Sequence, residues 1–190
     1  ADILFQNPNW VRDTQELLEN STVLQLFEEA VRLPMGHSDY FGQGDHYKSF
    51  GSVIKKDPNC LLKGDFQKHG HTGFAWAIRR EVIEDNGFYD ANIAGSGDHV
   101  MAHAFAGDWD SKCIERIIGK NKNHLNHFQN WSKKIYAKTR SKISYVPGRI
   151  LHLWHGDTEN RKYVVRNNEL AQFKYNPTRD IQISQSGLWQ

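Results

Sequence analysis

Carboxylates and imidazoles set beside glycines are the raw material of metal and acid–base chemistry, and four segments of this 190-residue chain carry them. The first is Ala1-Asp2-Ile3-Leu4-Phe5 with Asn7-Pro8-Asn9-Trp10, where Asp2 stands beside a hydrophobic strand. A carboxylate so placed can bind a hard cation that neutralises phosphate oxygens; the alternative is an exposed terminal residue. The second is Gly70-His71-Thr72-Gly73-Phe74-Ala75-Trp76. Small residues such as Gly73 beside Trp76 let a flat ligand approach the backbone and stack on an indole, unless Trp76 is simply core. In the third, Gly95-Ser96-Gly97-Asp98-His99, the flanking glycines open space around Asp98. Asp98 could take a proton from an attacking hydroxyl, with Gly97 and His99 against the acceptor, or it could cap the following helix. The fourth is His152-Leu153-Trp154-His155-Gly156 followed by Arg161, Tyr163 and Arg166. Strand alternation sets His152 and Trp154 on opposite faces and leaves His155 at the strand end, a ligand position for Mn²⁺. Arg161 and Arg166 open a helix, where cations suit a diphosphate or merely a solvated face.

These segments need elements to hold them. The hydropathy pattern predicts a strand end at 1–5, a short amphipathic helix at 10–18 and a strand at 22–27. From Met35 to Gly70 the pattern dissolves into Gly, Asp, His and scattered aromatics, which reads as a long functional loop. A strand at 73–78, a helix ending at Gly87, and a helix from Val100 to Phe105 follow. Ile114, Ile117, Ile118, Leu125, Phe128, Trp131 and Ile135 recur every three or four residues, predicting one or two helices. Strands at 143–147 and 149–154, a helix at 160–173 and a polar tail complete the chain. Strands alternate with helices, so the expected class is α/β.

Composition narrows the function. Aromatics at 12% argue against disorder, and 24 basic against 22 acidic residues leave only +2, no field for nucleic acid. No apolar run approaches the roughly 20 residues of a membrane span. Cys60 and Cys113 lack CxxC partners, which suits a reduced, cytoplasmic protein, although a single disulfide stays open.

Taken in order, the four segments resemble the second half of GT-A glycosyltransferases, particularly family-2-like enzymes. Ala1-Asp2 resembles the last two positions of that family's DxD motif, and Gly73 to Arg80 with Gly87-Phe88-Tyr89-Asp90 is similar to its acceptor segment. Gly97-Asp98 takes the place of its E-D or G-D step, although Gly97 departs from the usual acid. His152 to Gly156 resembles the C-terminal His that completes the metal site. The resemblance implies a GT-A-like mixed sheet over 1–175 with a tail at 176–190, the nucleotide-binding half lying upstream of Ala1. It further implies Mn²⁺ or Mg²⁺ held by Asp2, His155 and His152, with Arg161, Tyr163 and Arg166 at the donor diphosphate. Asp98 would be the base of an inverting transfer from a nucleotide-sugar to a glycan or other hydroxyl acceptor, with Trp76, Gly73, Gly97 and His99 at the acceptor. Two rival classes remain: a metal-dependent phosphoesterase, whose GNH and GHxH motifs are missing, and a non-catalytic carbohydrate-binding module.

Overall fold

The computed structural model describes residues 2–63, 68–157, 160 and 162–188. It is mixed α/β. The elements run β1 (Ile3–Phe5), α1 (Trp10–Leu18), β2 (Val23–Gln25), β3 (Glu29–Arg32), β4 (Asp45–Lys48), α2 (Phe50–Lys56), a 3₁₀ turn (Pro58–Lys63) and β5 (Trp76–Ile78). The second half holds α3 (Arg80–Ile83), α4 (Gly97–Phe105), α5 (Lys112–Ile118), α6 (Lys122–Thr139), β6 (Ile143–Tyr145), β7 (Arg149–His152), α7 (Tyr163–Gln172) and α8 (Pro177–Asp180).

Two sheets form, one in the order β1-β7-β3-β4 and one in the order β5-β2-β6. The parallel pair β2/β6 continues into the parallel pair β3/β7, because both chains pass from the smaller sheet to the larger over three residues. Backbone bonds bridge the break: Val146 N–H donates to the Gln25 carbonyl at 2.9 Å, and Glu28 N–H to that of Gly148 at 2.8 Å. Gly148 has φ +119°, and a Cβ there would stand 3.1 Å from Asn7, so the bend needs glycine. β1 and β4 close the larger sheet at its edges, each antiparallel to its neighbour.

The helices cover this frame with a buried apolar face. Val23, Phe50, Ile54, Val82, Phe105, Ile135 and Ile143 make one core cluster, and Val100, Ala104, Ile114, Ile118 and Phe128 a second. Helix α4 contributes to both, so its register is fixed from two sides. The three-to-four spacing from Ile114 to Ile135 resolves into α5 and α6, divided at Gly119 (φ +71°) and restarted by the Asn121 side chain accepting from His124 N–H at 3.2 Å.

Three expectations change. The stretch from Met35 to Gly70 is not one loop, since it contains β4, α2 and the 3₁₀ turn. Strand β3 went unread, because Glu29-Ala30-Val31-Arg32 has apolar residues only in its middle pair. The polar tail contains a short helix, α8, with Pro177 buried, and just before it Tyr175 donates its hydroxyl to the Ala91 carbonyl at 2.8 Å. Among the described residues no helix is long and apolar enough to cross a membrane, and Cys60 and Cys113 are not joined by a disulfide.

Candidate functional site

β1 and β7 pair with Ile3 opposite His152, so Asp2 reaches the C-terminal end of β7 just where that strand stops. Leu153 N–H donates to the Asp2 carbonyl at 2.8 Å and secures that end of the sheet. Regular alternation ends at His152, earlier than expected, and the chain turns to bring His155 back over it. His155 Nε2 lies 3.0 Å from His152 Nε2 and 3.1 Å from Asp2 Oδ2, and His152 Nε2 lies 3.2 Å from the same oxygen. A cation with ligand bonds of about 2.1 Å in octahedral coordination requires cis ligands about 3.0 Å apart, which this triangle matches. Two imidazoles and one carboxylate favour a transition-type ion such as Mn²⁺ over Mg²⁺, which prefers oxygen. His152 is buried while Asp2 and His155 are nearly half exposed, leaving open positions on the solvent side.

Asp2 and His152 open onto a cavity of about 950 Å³ that Asp98 also lines. A chain of ring contacts runs between them. The Phe74 ring lies 4.8 Å from that of His152 and stacks at 4.3 Å on His71. His71 then abuts Gly73, where an added Cβ would stand 2.9 Å from both the His71 ring and Asp98 Oδ2. Glycine at 73 is thus what lets the carboxylate sit there. This loop is held from beneath by Gln25, fully buried on β2. Its Nε2 donates to the carbonyls of His71 (2.8 Å) and Gly73 (3.1 Å), and its Oε1 accepts from Gly51 N–H at 2.9 Å.

Asp98 lies in the first turn of α4, whose N-cap, Ser96, is left-handed (φ +62°) and makes no side-chain cap bond. The carboxylate touches water, but it does so inside a concavity. Surrounding protein pushes its pKa above the ordinary 3.8, against hydrogen bonding from the backbone N–H groups of His99 and Asp98 itself. A carboxylate with elevated basicity on a cavity wall is suited to accept a proton.

Sequence reading missed a cation beside the triad. Arg32 pairs with His152 across β3 and β7 and therefore emerges on the same side of the sheet. Its guanidinium lies over the Tyr47 ring at 4.9 Å and contacts Tyr47 Oη (3.4 Å) and His71 Nε2 (3.3 Å). Among the described residues no carboxylate forms an ion pair with it. An uncompensated guanidinium facing a cavity is a natural anion ligand. Arg116 of α5 and Lys48 of β4 line the same cavity. The cue to Arg32 is strand pairing, which linear spacing does not carry. A smaller hollow of about 400 Å³, lined by exposed Trp154, Gly156 and Asp157, meets the larger one at Arg32 and His152.

The remaining predicted residues divide. Gly73 and His99 line the large cavity, whereas Gly97 and Trp76 are not among its lining residues. Trp76 packs against Phe50 and Phe105 and donates its Nε1–H to the Thr72 carbonyl at 2.8 Å, so it belongs to the core, and Phe74 occupies the cavity wall in its place. Arg166 packs against Gly95 at the turn leading to α4, and its neighbour Asn167 donates to Ser96 Oγ at 3.3 Å and reaches the cavity. Arg161 lies outside the described residues, and Tyr163 is described only as the first residue of α7.

No protein-family model, curated protein or solved structure matches this chain. Class assignment therefore stops at mixed α/β with a candidate metal and carboxylate site, and function rests on that site's chemistry.

Proposed function

We propose that this chain is the acceptor and catalytic portion of a metal-dependent glycosyltransferase that uses a nucleotide-sugar. The observation that carries the reading is the Asp2–His152–His155 triangle at the edge of a cavity that also presents Arg32 and Asp98. Asp2, His152 and His155 would hold Mn²⁺, which supplies positive charge where a diphosphate leaving group develops negative charge. Arg32 adds a second cation from the adjacent strand, with Arg116 farther along the wall. Arg166, which the resemblance assigns to the diphosphate, packs behind Gly95 and positions the Asp98 turn instead. Asp98 removes the proton of an acceptor hydroxyl as its oxygen attacks the sugar carbon. Phe74, His71 and Tyr47 line the cavity where a sugar ring would lie, and Gly73 keeps the path to Asp98 open. A proton acceptor separate from the cation ligands suits transfer to a hydroxyl, and inversion at the sugar carbon is expected from the resemblance alone.

The test separates metal, diphosphate and chemistry. Mn²⁺ binding is followed by loss of the free-ion electron paramagnetic resonance signal, with inorganic pyrophosphate as the diphosphate probe. Wild type should bind Mn²⁺ and, once loaded, bind pyrophosphate more tightly; His155→Ala should lose both. Pyrophosphate binding indifferent to Mn²⁺ overturns the reading. Release of phosphate from simple esters without an acceptor would favour a hydrolase, and metal-free glycan binding a carbohydrate-binding module.

A further inference from the structure

Behind the Asp98 turn lies a second group of metal-ligating side chains, of which His69 and His99 reach the wall of the large cavity. His69 precedes the Gly70–Gly73 loop, His99 and His103 lie one turn apart on α4, and Cys113 lies in the first turn of α5. All four are buried: His103 is 0% exposed, Cys113 1%, His69 2% and His99 7%. One ligand atom from each lies within 4.8 Å of every other. A tetrahedral zinc site with bonds of about 2.0–2.1 Å to nitrogen and 2.3 Å to sulfur needs ligand separations of about 3.4–3.6 Å, reachable by small side-chain rotations.

The surroundings are those of a ligand set. His103 Nδ1 bonds to Asp108 Oδ2 at 2.6 Å, and Asp108 Oδ1 accepts from Ser111 N–H at 3.2 Å, at the start of the helix carrying Cys113. One carboxylate thus orients a histidine and fastens the cysteine's helix, the carboxylate–histidine arrangement found behind zinc. His69 Nδ1 is committed to the Gly70 carbonyl at 2.9 Å and His99 Nδ1 contacts Thr72 Oγ1 at 3.4 Å, which turns the Nε2 atoms inward. His103 Nε2 is buried without a hydrogen-bond partner, a costly state that a metal bond removes. Burial, first of all, pushes His69 down to about 4 and His99 well below its ordinary value, so both are neutral, the form that ligates. Zn²⁺, one thiolate and the Asp108 carboxylate sum to zero charge, which a dry interior tolerates.

We propose that His69, His99, His103 and Cys113 form a structural zinc site that ties the 69–73 loop to α4 and α5 directly behind Asp98. Four protein ligands fill the tetrahedron, so the ion holds structure and does no chemistry. The proposal is independent of what the cavity binds.

The purified 190-residue chain, dialysed without chelator, should carry one zinc per molecule by elemental analysis. His155→Ala, which breaks the exposed triangle, should keep it, and Cys113→Ser should lose it. Should Cys113→Ser fail to fold, cobalt exchanged into wild type and His155→Ala decides the matter. Intense tetrahedral d–d bands with a thiolate-to-cobalt charge-transfer band in both proteins support the site. Folded protein with substoichiometric zinc and no thiolate band, or zinc that departs with His155 and stays without Cys113, overturns it.

Discussion

At the scale of single residues, the site reduces to a division of labour between an acid–base group and charged ligands. Asp98→Asn keeps the volume and removes the base, so transfer should drop by roughly 10²–10⁴-fold while Mn²⁺-dependent pyrophosphate binding stays unchanged. Its surroundings raise the Asp98 pKa, and a base works only when ionised. Turnover should therefore fall as pH drops through a value above the ordinary 3.8, and the acid limb of the kcat/KM profile should vanish in the Asn variant. A variant that turns over at the wild-type rate removes Asp98 from the role. Arg32→Met should weaken pyrophosphate binding about tenfold or more, since hydrogen bonds to a charged group are worth about 1.5–3 kcal/mol; equal affinity would leave Arg116 as the anion ligand. Candidates read directly from sequence are those marked by local chemistry: Asp2 at a strand end, His152 and His155 before a glycine, Asp98 between glycine and helix. Arg32 had no such mark. Its significance comes from lying opposite His152 on a parallel neighbour that is more than a hundred residues away in sequence.

At the scale of elements, the loop bearing His71 and Gly73 is held from beneath by the buried Gln25 side chain. Gln25→Leu keeps similar bulk but strands the Gly51 N–H and the Gly73 carbonyl in a buried place, while the His71 carbonyl keeps its bond from Phe50 N–H at 3.0 Å. Each buried unsatisfied group costs about 1–3 kcal/mol, so the unfolding free energy should fall by at least that much and the urea midpoint with it. Mn²⁺ binding at Asp2, His152 and His155 should survive, because that triangle hangs from β1 and β7, while Asp98-dependent turnover declines with the loosened loop. An unchanged midpoint would show that solvent reaches these groups. The same contrast explains what sequence could say about the fold. Helices α5 and α6 announce themselves through apolar residues every three or four positions, and β7 through a run of Ile150, Leu151 and His152 flanked by Gly148. The region from Met35 to Gly70 hid β4 and α2, since β4 is an edge strand of Asp45, His46, Tyr47 and Lys48 with no apolar alternation. Helix α2 is only seven residues long and opens Phe50-Gly51-Ser52, poor helix formers held by the Ser49 cap and by packing. Trp76 is open to two readings in sequence, ligand platform or core, and it packs against Phe50 and Phe105 while Phe74 lines the cavity.

For the whole molecule, stability should depend on pH through a histidine far from the cavity. His124 on α6 is 1% exposed, its Nε2 buried without a hydrogen-bond partner. It stacks near Tyr89 at 6.3 Å and meets the edge of Tyr175 at 5.1 Å, with His127 one turn on. Here the C-terminal segment docks, for Asn121 Nδ2 donates to the Tyr175 carbonyl at 2.5 Å and α8 packs against α6. Burial, reinforced by the nearby charge of His127, lowers the His124 pKa from 6.5 to about 4. The unfolded chain therefore binds a proton that the folded chain refuses, and stability rises with pH between those two values. Above about 6.5 both states are neutral and nothing is lost; on acidification to pH 5 this histidine alone should cost about 2 kcal/mol. His124→Leu fills the same space without a titrating group. Urea unfolding of wild type and variant at pH 7 and pH 5 should give a difference in stability between the proteins that shifts by about that amount in the variant's favour at the lower pH. Identical pH slopes would mean that His124 takes up its proton in the folded state, which would require water or a rearranged Tyr175 beside it, and the docking of the C-terminal segment would have to be redrawn.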